Sequence, residues 1–197
     1  MLDPFYLIVD DVTWLARLLP VGVKLVQLRI KDKPATEIQQ QIVEAKALCA
    51  RFGTQLIVND YWQIAIDEGC DFVHLGQGDL DGADLAALRR AGIRLGVSTH
   101  DDAELERALA TEPDYVALGP VFPTILKQMP WAPQGLKKVA DWKRRVGKLP
   151  LVAIGGLTPE RARQVLDAGA DSAAVVTDIL YNTNPQERTR QWIAVTR

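Results

Sequence analysis

The stretch "EGCDFVHLG" (68–76) contains a helix-ending glycine, an aspartate and an unbroken apolar run, in that order. A similar order returns in "EPDYVALG" (112–119) and in "AGADSAAVV" (168–176), with proline in place of glycine in the first of them. Glycine suits the left-handed stop of a helix, and a continuously apolar run is typical of a parallel strand that is buried on both faces. This weak internal repeat therefore predicts βα units that follow one another along the chain.

Eight short runs fit the strand part of such a unit. They are "FYLIVD" (5–10), "KLVQLR" (24–29), "QLIVND" (55–60), "FVHLG" (72–76), "RLGVST" (94–99), "YVALG" (115–119), "LVAIG" (151–155) and "SAAVVT" (172–177). Segments of helical period lie between them, among them 35–53, 83–92, 102–110 and 158–169. Eight βα units predict an α/β fold, a single (β/α)8 TIM barrel over residues 1–197. An open doubly wound sheet is the structural alternative, but no Gly-rich turn follows the first strand.

Composition excludes several classes of function. The chain is 48% apolar and carries a net charge of −2, so nothing favours binding to nucleic acid or to an anionic membrane. No apolar run approaches the roughly 20 residues of a membrane span. Cys49 and Cys70 show no metal-binding spacing, and we expect buried, inert thiols. The start "MLDPFYLIVDD" has no basic signal region, so the sequence favours a cytoplasmic protein and leaves open whether it forms a homo-oligomer.

The active site of such a barrel lies at the carboxyl ends of its strands. Nearly every one of these ends carries a polar residue. Along the chain they are Gln27, Arg29, Lys31, Asn59, Asp60, His74, Gln77, Asp79, Ser98, His100, Thr124, Lys127, Thr177 and Asp178. This coincidence of polar groups favours a functional site over a set of unrelated surface residues.

Two groups with different chemistry stand out. Arg29, Lys31 and Lys127 are cations that can converge on an anion, while Asp60 and Asp79 follow adjacent strands. Because Mg²⁺ prefers a few carboxylates together with substrate phosphates, this group predicts a site for a diphosphate–Mg²⁺ complex.

The second group is the glycine pair "GG" (155–156) after strand 7, together with the Thr177 region after strand 8. That is a common position for a phosphate monoester in barrels, where backbone N–H groups and a helix N-terminus bind it.

Structural explanations exist for each of these residues. Arg29–Asp60 or Lys31–Asp79 could be ion pairs at the rim of the barrel, and the glycine pair could be a tight turn. His74 fits a hydrogen-bonded core histidine, and His100 fits a residue at the start of a helix rather than a catalyst.

At these residues the sequence closely resembles the thiamine-phosphate synthase family. The matching segments cover nearly the whole chain in the family's order. They are "VQLRIKD" (26–32), "IVNDYW" (57–62), "VHLGQGDL" (73–80), "GVSTH" (96–100), "LGPVFPT" (118–124) with Lys127, "VAIGG" (152–156) and "AVVTDI" (174–179).

The resemblance implies a transferase that couples 4-amino-2-methyl-5-hydroxymethylpyrimidine diphosphate to hydroxyethylthiazole phosphate, with Mg²⁺ as cofactor and release of diphosphate. It implies four groups of site residues. Gln27, Arg29, Lys31, Asn59 and Lys127 would hold the diphosphate, Asp60 and Asp79 the metal, Ser98 the pyrimidine, and Thr124, Gly156, Val176 and Thr177 the thiazole phosphate.

The family's chemistry is dissociative, in that diphosphate leaves first and the thiazole nitrogen captures the resulting pyrimidine-methyl cation. This mechanism explains why the site offers cations and carboxylates but no obvious nucleophile or general base. The Pro-rich stretch 119–135 is expected to cover the barrel mouth, with Phe122, Met129 and Trp131 available to exclude water.

The sequence departs from the family's pattern at four positions. Gly78 replaces a common Glu, Thr177 replaces a common Ser, and Leu126 replaces the second Thr of a "PTxTK" segment. One charge-assisted hydrogen bond is worth about 1.5–3 kcal/mol, so the Leu126 change predicts weaker binding of the thiazole phosphate. Asp178 would repel a phosphate if it pointed inward, and we expect it to cap the next helix instead.

Three other functions remain open from the sequence. A thiazole tautomerase would need neither the metal pair nor Lys127, and Pro120 stands where its histidine base would be expected. A non-catalytic thiamine-related binding or regulatory protein would account for the changes at Gly78 and Leu126. An unrelated phosphosugar isomerase would need a catalytic base that no strand end supplies convincingly.

Overall fold

The computed structural model describes residues 1–124 and 131–197, and it contains a closed barrel of eight parallel strands in chain order. The strands are β1 (Phe5–Val9), β2 (Leu25–Leu28), β3 (Gln55–Asn59), β4 (Phe72–Leu75), β5 (Arg94–Thr99), β6 (Tyr115–Leu118), β7 (Leu151–Ile154) and β8 (Ser172–Val175). The barrel closes where β1 pairs with β8, with Tyr6 opposite Ala174. The predicted (β/α)8 fold is confirmed, and the open sheet is excluded.

Each strand is followed by a helix, and the last strand is followed by two. The helices are α1 (Thr13–Leu18), α2 (Ala35–Phe52), α3 (Trp62–Asp67), α4 (Leu85–Arg90), α5 (Asp102–Leu109), α6 (Gly135–Val146), α7 (Pro159–Asp167), α8 (Thr177–Leu180) and α9 (Pro185–Thr196), with single 3₁₀ turns at Leu19–Val21 and Asp79–Asp81. No helix in the two described ranges is long and apolar enough to cross a membrane.

Helix α2 shows how the sequence fixes these elements. Ile38, Ile42, Ala45 and Cys49 recur at helical spacing and are buried against the barrel. The helix stops at Gly53, whose left-handed backbone lets its N–H reach the carbonyls of Cys49 and Ala50.

Two of the three aspartates of the internal repeat share a structural task at the amino ends of the strands. Asp114 accepts a hydrogen bond from the backbone N–H of Leu95 (2.8 Å), and Asp171 accepts one from the N–H of Leu151 (2.8 Å). Each of these two aspartates therefore accepts a hydrogen bond from the backbone at the start of a neighbouring strand. Asp71 instead binds the Arg94 guanidinium (3.0 Å).

Side chains alternate between two cores, as expected along strands. In β1, Phe5, Leu7 and Val9 pack outward against the helices, while Tyr6 and Ile8 point into the barrel. The lower level of the barrel interior is filled by aromatic and aliphatic groups, and a cavity with polar lining residues opens above it at the carboxyl ends of the strands. Cys49 and Cys70 are free and buried as expected, and burial raises the pKa of the Cys49 thiol to about 12.

Candidate active site

A cavity of about 500 Å³ opens at the carboxyl ends of the strands. Most of the residues predicted from the sequence line it. They are Gln27, Arg29, Lys31, Asn59, Asp60, Asp79, Ser98, Thr124 and Val176. Gly156 and Thr177 each lie one residue beyond a lining residue, Gly155 and Val176. Lys127, Leu126 and Met129 lie outside the described residues.

The cationic side of the cavity follows β2. Lys31 forms an ion pair with Asp60, which follows β3. The Lys31 side chain is 46% exposed, so this pair contributes little to the stability of the fold. Neither of the two rim pairings expected from the sequence matches this one. Lys31 is paired with Asp60, and its side chain remains open to solvent at the cavity.

Asp60 and Asp79 form the acidic side. The Asp60 backbone has φ of 64°, an unusual value for a residue other than glycine, and its N–H donates to the His74 carbonyl (2.9 Å). Asp79 accepts from the N–H of Gly76 (3.1 Å). Burial and the charge of Asp60 raise the pKa of Asp79, because two carboxylates here repel each other. A cation between them would relieve that repulsion.

These residues fit a magnesium ion that is completed by substrate. Among residues 1–124 and 131–197 no group of three or more His, Cys, Asp or Glu side chains could hold a metal by itself. Two carboxylates leave most positions of an octahedral ion to water and phosphate oxygens, as Mg²⁺ prefers. Gly78 leaves open space where the family has Glu, since nothing lies within 4 Å of a Cβ built there.

Beneath the acidic side, a line of hydrogen bonds crosses the barrel. Ser98 Oγ lies 2.7 Å from His74 Nε2, and His74 Nδ1 lies 2.7 Å from the Tyr115 hydroxyl. Burial lowers the pKa of His74 to about 4, so its imidazole is neutral at pH 7. The prediction of a hydrogen-bonded core histidine is confirmed, although this histidine also contacts a predicted site residue.

Two tyrosines in this line were not predicted. The Tyr115 hydroxyl lies 3.0 Å from that of Tyr6, which accepts a hydrogen bond from Gln27 Nε2 (2.9 Å). A signal for them was present in the sequence, since each is a tyrosine within an apolar strand, and Gly96 leaves room for the Tyr115 ring.

The glycine pair after β7 is required by close backbone packing. Both residues have positive φ, 103° at Gly155 and 64° at Gly156. A Cβ at Gly155 would lie 2.6 Å from Pro120 Cα, and one at Gly156 would overlap the Pro123 carbonyl. The N–H of Phe122 donates to the Gly155 carbonyl (3.0 Å), so the chain after β6 rests directly on this turn.

Asp178 corrects one expectation. It lies in the first turn of α8 but makes no capping hydrogen bond there. Its carboxylate accepts instead from the Arg188 guanidinium (2.8 and 2.9 Å) and from the Trp192 indole (2.7 Å), both on α9. The bidentate ion pair and the indole hydrogen bond take up both carboxylate oxygens. Asp178 therefore faces α9 and not the cavity.

His100 and Trp131 form the wall opposite β2. Their rings stack at 4.0 Å with an interplanar angle of 11°, and both line the cavity. Glu104 orients His100, because its Oε2 accepts from the backbone N–H and lies 2.7 Å from Nδ1. Of the aromatic residues expected to cover the mouth, Trp131 lines the cavity, whereas Phe122 packs under the Arg161 guanidinium.

Together, the barrel and its polar cavity define a (β/α)8-barrel enzyme. A family model described as thiamine monophosphate synthase matches residues 5–179. The chain belongs to this family, and it is a transferase of thiamine biosynthesis.

Similar proteins carry consistent names. A thiamine-phosphate synthase from Rhizobium etli is 68% identical over 195 residues, which cover 99% of this chain and 96% of that one. A thiamine-phosphate synthase from Salmonella choleraesuis is 50% identical over 190 residues, 96% of this chain and 90% of the relative. Among solved structures, a thiamine phosphate pyrophosphorylase from Pyrococcus furiosus superposes with a TM-score of 0.86 at 26% identity, covering 98% of this chain and 95% of that chain.

Proposed function

We propose that this enzyme condenses 4-amino-2-methyl-5-hydroxymethylpyrimidine diphosphate with hydroxyethylthiazole phosphate to give thiamine phosphate and diphosphate. The observation that carries the proposal is the pairing of Lys31 with Asp60, beside Asp79, at the mouth of one barrel cavity. Cations next to a carboxylate pair suit a diphosphate that binds together with Mg²⁺. The names of the relatives support the same reaction.

The diphosphate would occupy the side of the cavity formed by β2 and β3. Arg29 and Lys31 would neutralise its charge, and Asn59 would donate to its oxygens, with Gln27 deeper in the barrel and Lys127 as a further cation. Asp60 and Asp79 would hold Mg²⁺, which would supply positive charge to the leaving diphosphate. Because negative charge grows on that group as the C–O bond breaks, cations fixed in advance lower the barrier.

The pyrimidine would lie over Ser98, toward the centre of the barrel. His74 beneath it is neutral, so the cation that forms when diphosphate leaves is not repelled by a positive charge on that side. The stacked pair His100 and Trp131 would exclude water from this cation. No general base is required, because the thiazole nitrogen already carries the attacking lone pair.

The thiazole phosphate would bind on the opposite side, between the ends of β6, β7 and β8. Thr124 lines that part of the cavity, and the backbone N–H groups of Gly156, Val176 and Thr177 would serve as donors. Asp178 faces α9, which removes the repulsion that its charge would otherwise exert on a phosphate.

We further propose that residues 1–197 act as one catalytic domain in the cytoplasm, on small-molecule substrates and without nucleic-acid or membrane partners. The net charge of −2 and the two buried thiols support this assignment. A homo-oligomer is compatible with it.

The test is a reaction of the purified protein with Mg²⁺ and both substrates, followed by chromatographic detection of thiamine phosphate. Thiamine phosphate is expected only when all three are present. A protein that binds the substrates without forming product would support a non-catalytic role, and a change in the thiazole phosphate alone would support a tautomerase. Either result would overturn the proposal.

A further inference from the structure

A continuous line of polar side chains runs through the otherwise apolar interior of the barrel. It begins at Gln27 on β2 and ends at Ser98 on β5. Its inner members are almost completely buried, with exposed fractions of 1% for Tyr6, 0% for Tyr115 and 7% for His74. Each consecutive pair is 2.7–3.0 Å apart. These distances are within the normal range for hydrogen bonds, so each bond must have one donor and one acceptor.

The direction of the line follows from its first member. Gln27 Nε2 can only donate, so the Tyr6 oxygen accepts, and the Tyr6 hydrogen must go elsewhere. Among the residues that the structure describes, Tyr115 is the one acceptor within reach of it. Since a hydroxyl has one hydrogen, Tyr115 accepts from Tyr6 and directs its own hydrogen to His74 Nδ1.

The hydrogen bonds keep the same direction from His74 to Ser98. A His74 ring that accepts at Nδ1 carries its single hydrogen on Nε2, and this atom donates to Ser98 Oγ. Because Ser98 Oγ accepts from His74, its own hydroxyl hydrogen is available to donate, and Ser98 lines the cavity.

We propose that Tyr115 and His74 are positioning residues that hold Ser98 as a hydrogen-bond donor toward the substrate. The inference about the protein itself is the Nε2–H tautomer of His74. The inference about the ligand rests on the proposed function. Ser98 would donate to an atom with a free lone pair, such as a ring nitrogen of the aminopyrimidine, and not to its amino group.

Packing around Tyr115 supports a fixed geometry. A Cβ at position 96 would overlap the Tyr115 ring, so Gly96 is what admits this side chain. The ring is stacked with His74 (5.5 Å, 18°) and meets Tyr6 and Phe72 edge to face. With the Tyr115 ring held on three sides, its hydroxyl oxygen stays within hydrogen-bonding distance of His74 Nδ1.

The direct test is ¹⁵N NMR of the substrate-free protein with labelled histidine rings. The chain has two histidines, so His100→Gln assigns the signals without ambiguity. A protonated Nε2 and an unprotonated Nδ1 are expected for His74. A protonated Nδ1 would reverse the line and overturn the proposal. This measurement needs no turnover, so it separates failure of the inference from failure of the proposed reaction.

Two variants test which residue fixes the tautomer of His74. Tyr115→Phe keeps the ring but removes the donor to Nδ1, so His74 should become a mixture of tautomers. In Tyr6→Phe, Tyr115 still donates to Nδ1, and the Nε2–H tautomer should persist. A mixture in Tyr6→Phe as well, or a single unchanged tautomer in Tyr115→Phe, would contradict the proposed direction.

Kinetics supply the second readout. Tyr115→Phe should raise KM for the pyrimidine diphosphate about 2- to 10-fold, the range of one hydrogen bond, without changing KM for the thiazole phosphate. Tyr181→Phe, at an exposed tyrosine, is the matched control and should change neither. In a Ser98→Ala background the Tyr115→Phe effect should vanish, because Tyr115 acts through Ser98. An undiminished effect there would contradict a positioning role.

Discussion

His74 cannot accept a proton without losing part of its hydrogen bonding and placing a charge inside the barrel. Burial lowers its pKa from 6.5 to about 4, with a smaller opposing effect from the negative charge of Asp60. The unfolded chain, with an ordinary histidine, takes up this proton near pH 6.5. Between the two values the unfolded state binds more protons than the folded state, so stability falls as the pH is lowered through this window.

The size of the effect follows from the shift. A difference of about 2.5 pKa units corresponds to about 3 kcal/mol once the pH is below both values. At pH 5, where only the unfolded state is protonated, the loss relative to pH 8 is about 2 kcal/mol.

The assay is urea unfolding of the wild type and of His74→Gln at pH 8, 6.5 and 5. Glutamine can hydrogen-bond but does not titrate, so the variant should lose about 2 kcal/mol less than the wild type between pH 8 and pH 5. Carboxylates elsewhere titrate equally in both proteins and cancel. Parallel pH profiles of the two proteins, or an NMR titration of the His74 ring near pH 6.5, would show that burial does not keep His74 neutral.

Three further predictions concern the site and its support. Lys31→Ala should change the free energy of unfolding by less than about 1 kcal/mol, because its ion pair is half exposed, yet lower kcat/KM by about 100-fold or more in a steady-state assay. Equal kinetics would remove Lys31 from the diphosphate site. Asp79→Asn should raise the Mg²⁺ concentration for half-maximal activity by at least about 10-fold in a metal titration, with Asp81→Asn as the control carboxylate. If both variants need the same concentration of metal, Asp79 is not a ligand. Asp178→Asn should destabilise the fold by about 2 kcal/mol in urea unfolding, because the Arg188 guanidinium would lose its charged partner. An unchanged midpoint would show that the pair contributes nothing.

The fold could be predicted from the sequence because the parallel strands of a barrel are buried on both faces. Each apolar run such as "YVALG" is therefore continuous and is bounded by a helix stop and a turn. The observed β6, Tyr115–Leu118, ends one residue before the predicted run does. The polar residues at the carboxyl ends could also be predicted to form a site, since a barrel brings those ends together.

The line of hydrogen bonds from Gln27 to Ser98 could not be predicted in this way. Tyr6 and Tyr115 are 109 positions apart, and their contact depends on the register of strands on opposite sides of the barrel. His74 was correctly assigned to the core, but a core histidine gives no indication in the sequence of which neighbours it touches.

Asp178 shows a second kind of limit. An aspartate at the start of a helix usually indicates a cap, but here Arg188 and Trp192, ten and fourteen residues further along, compete for the same carboxylate. The pattern next to a residue cannot show which partners the fold will bring from another helix.

The decisive measurement is the stoichiometry of the reaction with both substrates. With Mg²⁺ present, one diphosphate should appear for each thiamine phosphate, and chelation of the metal should stop both together. Absence of thiamine phosphate under these conditions, or its formation without release of diphosphate, would contradict the account.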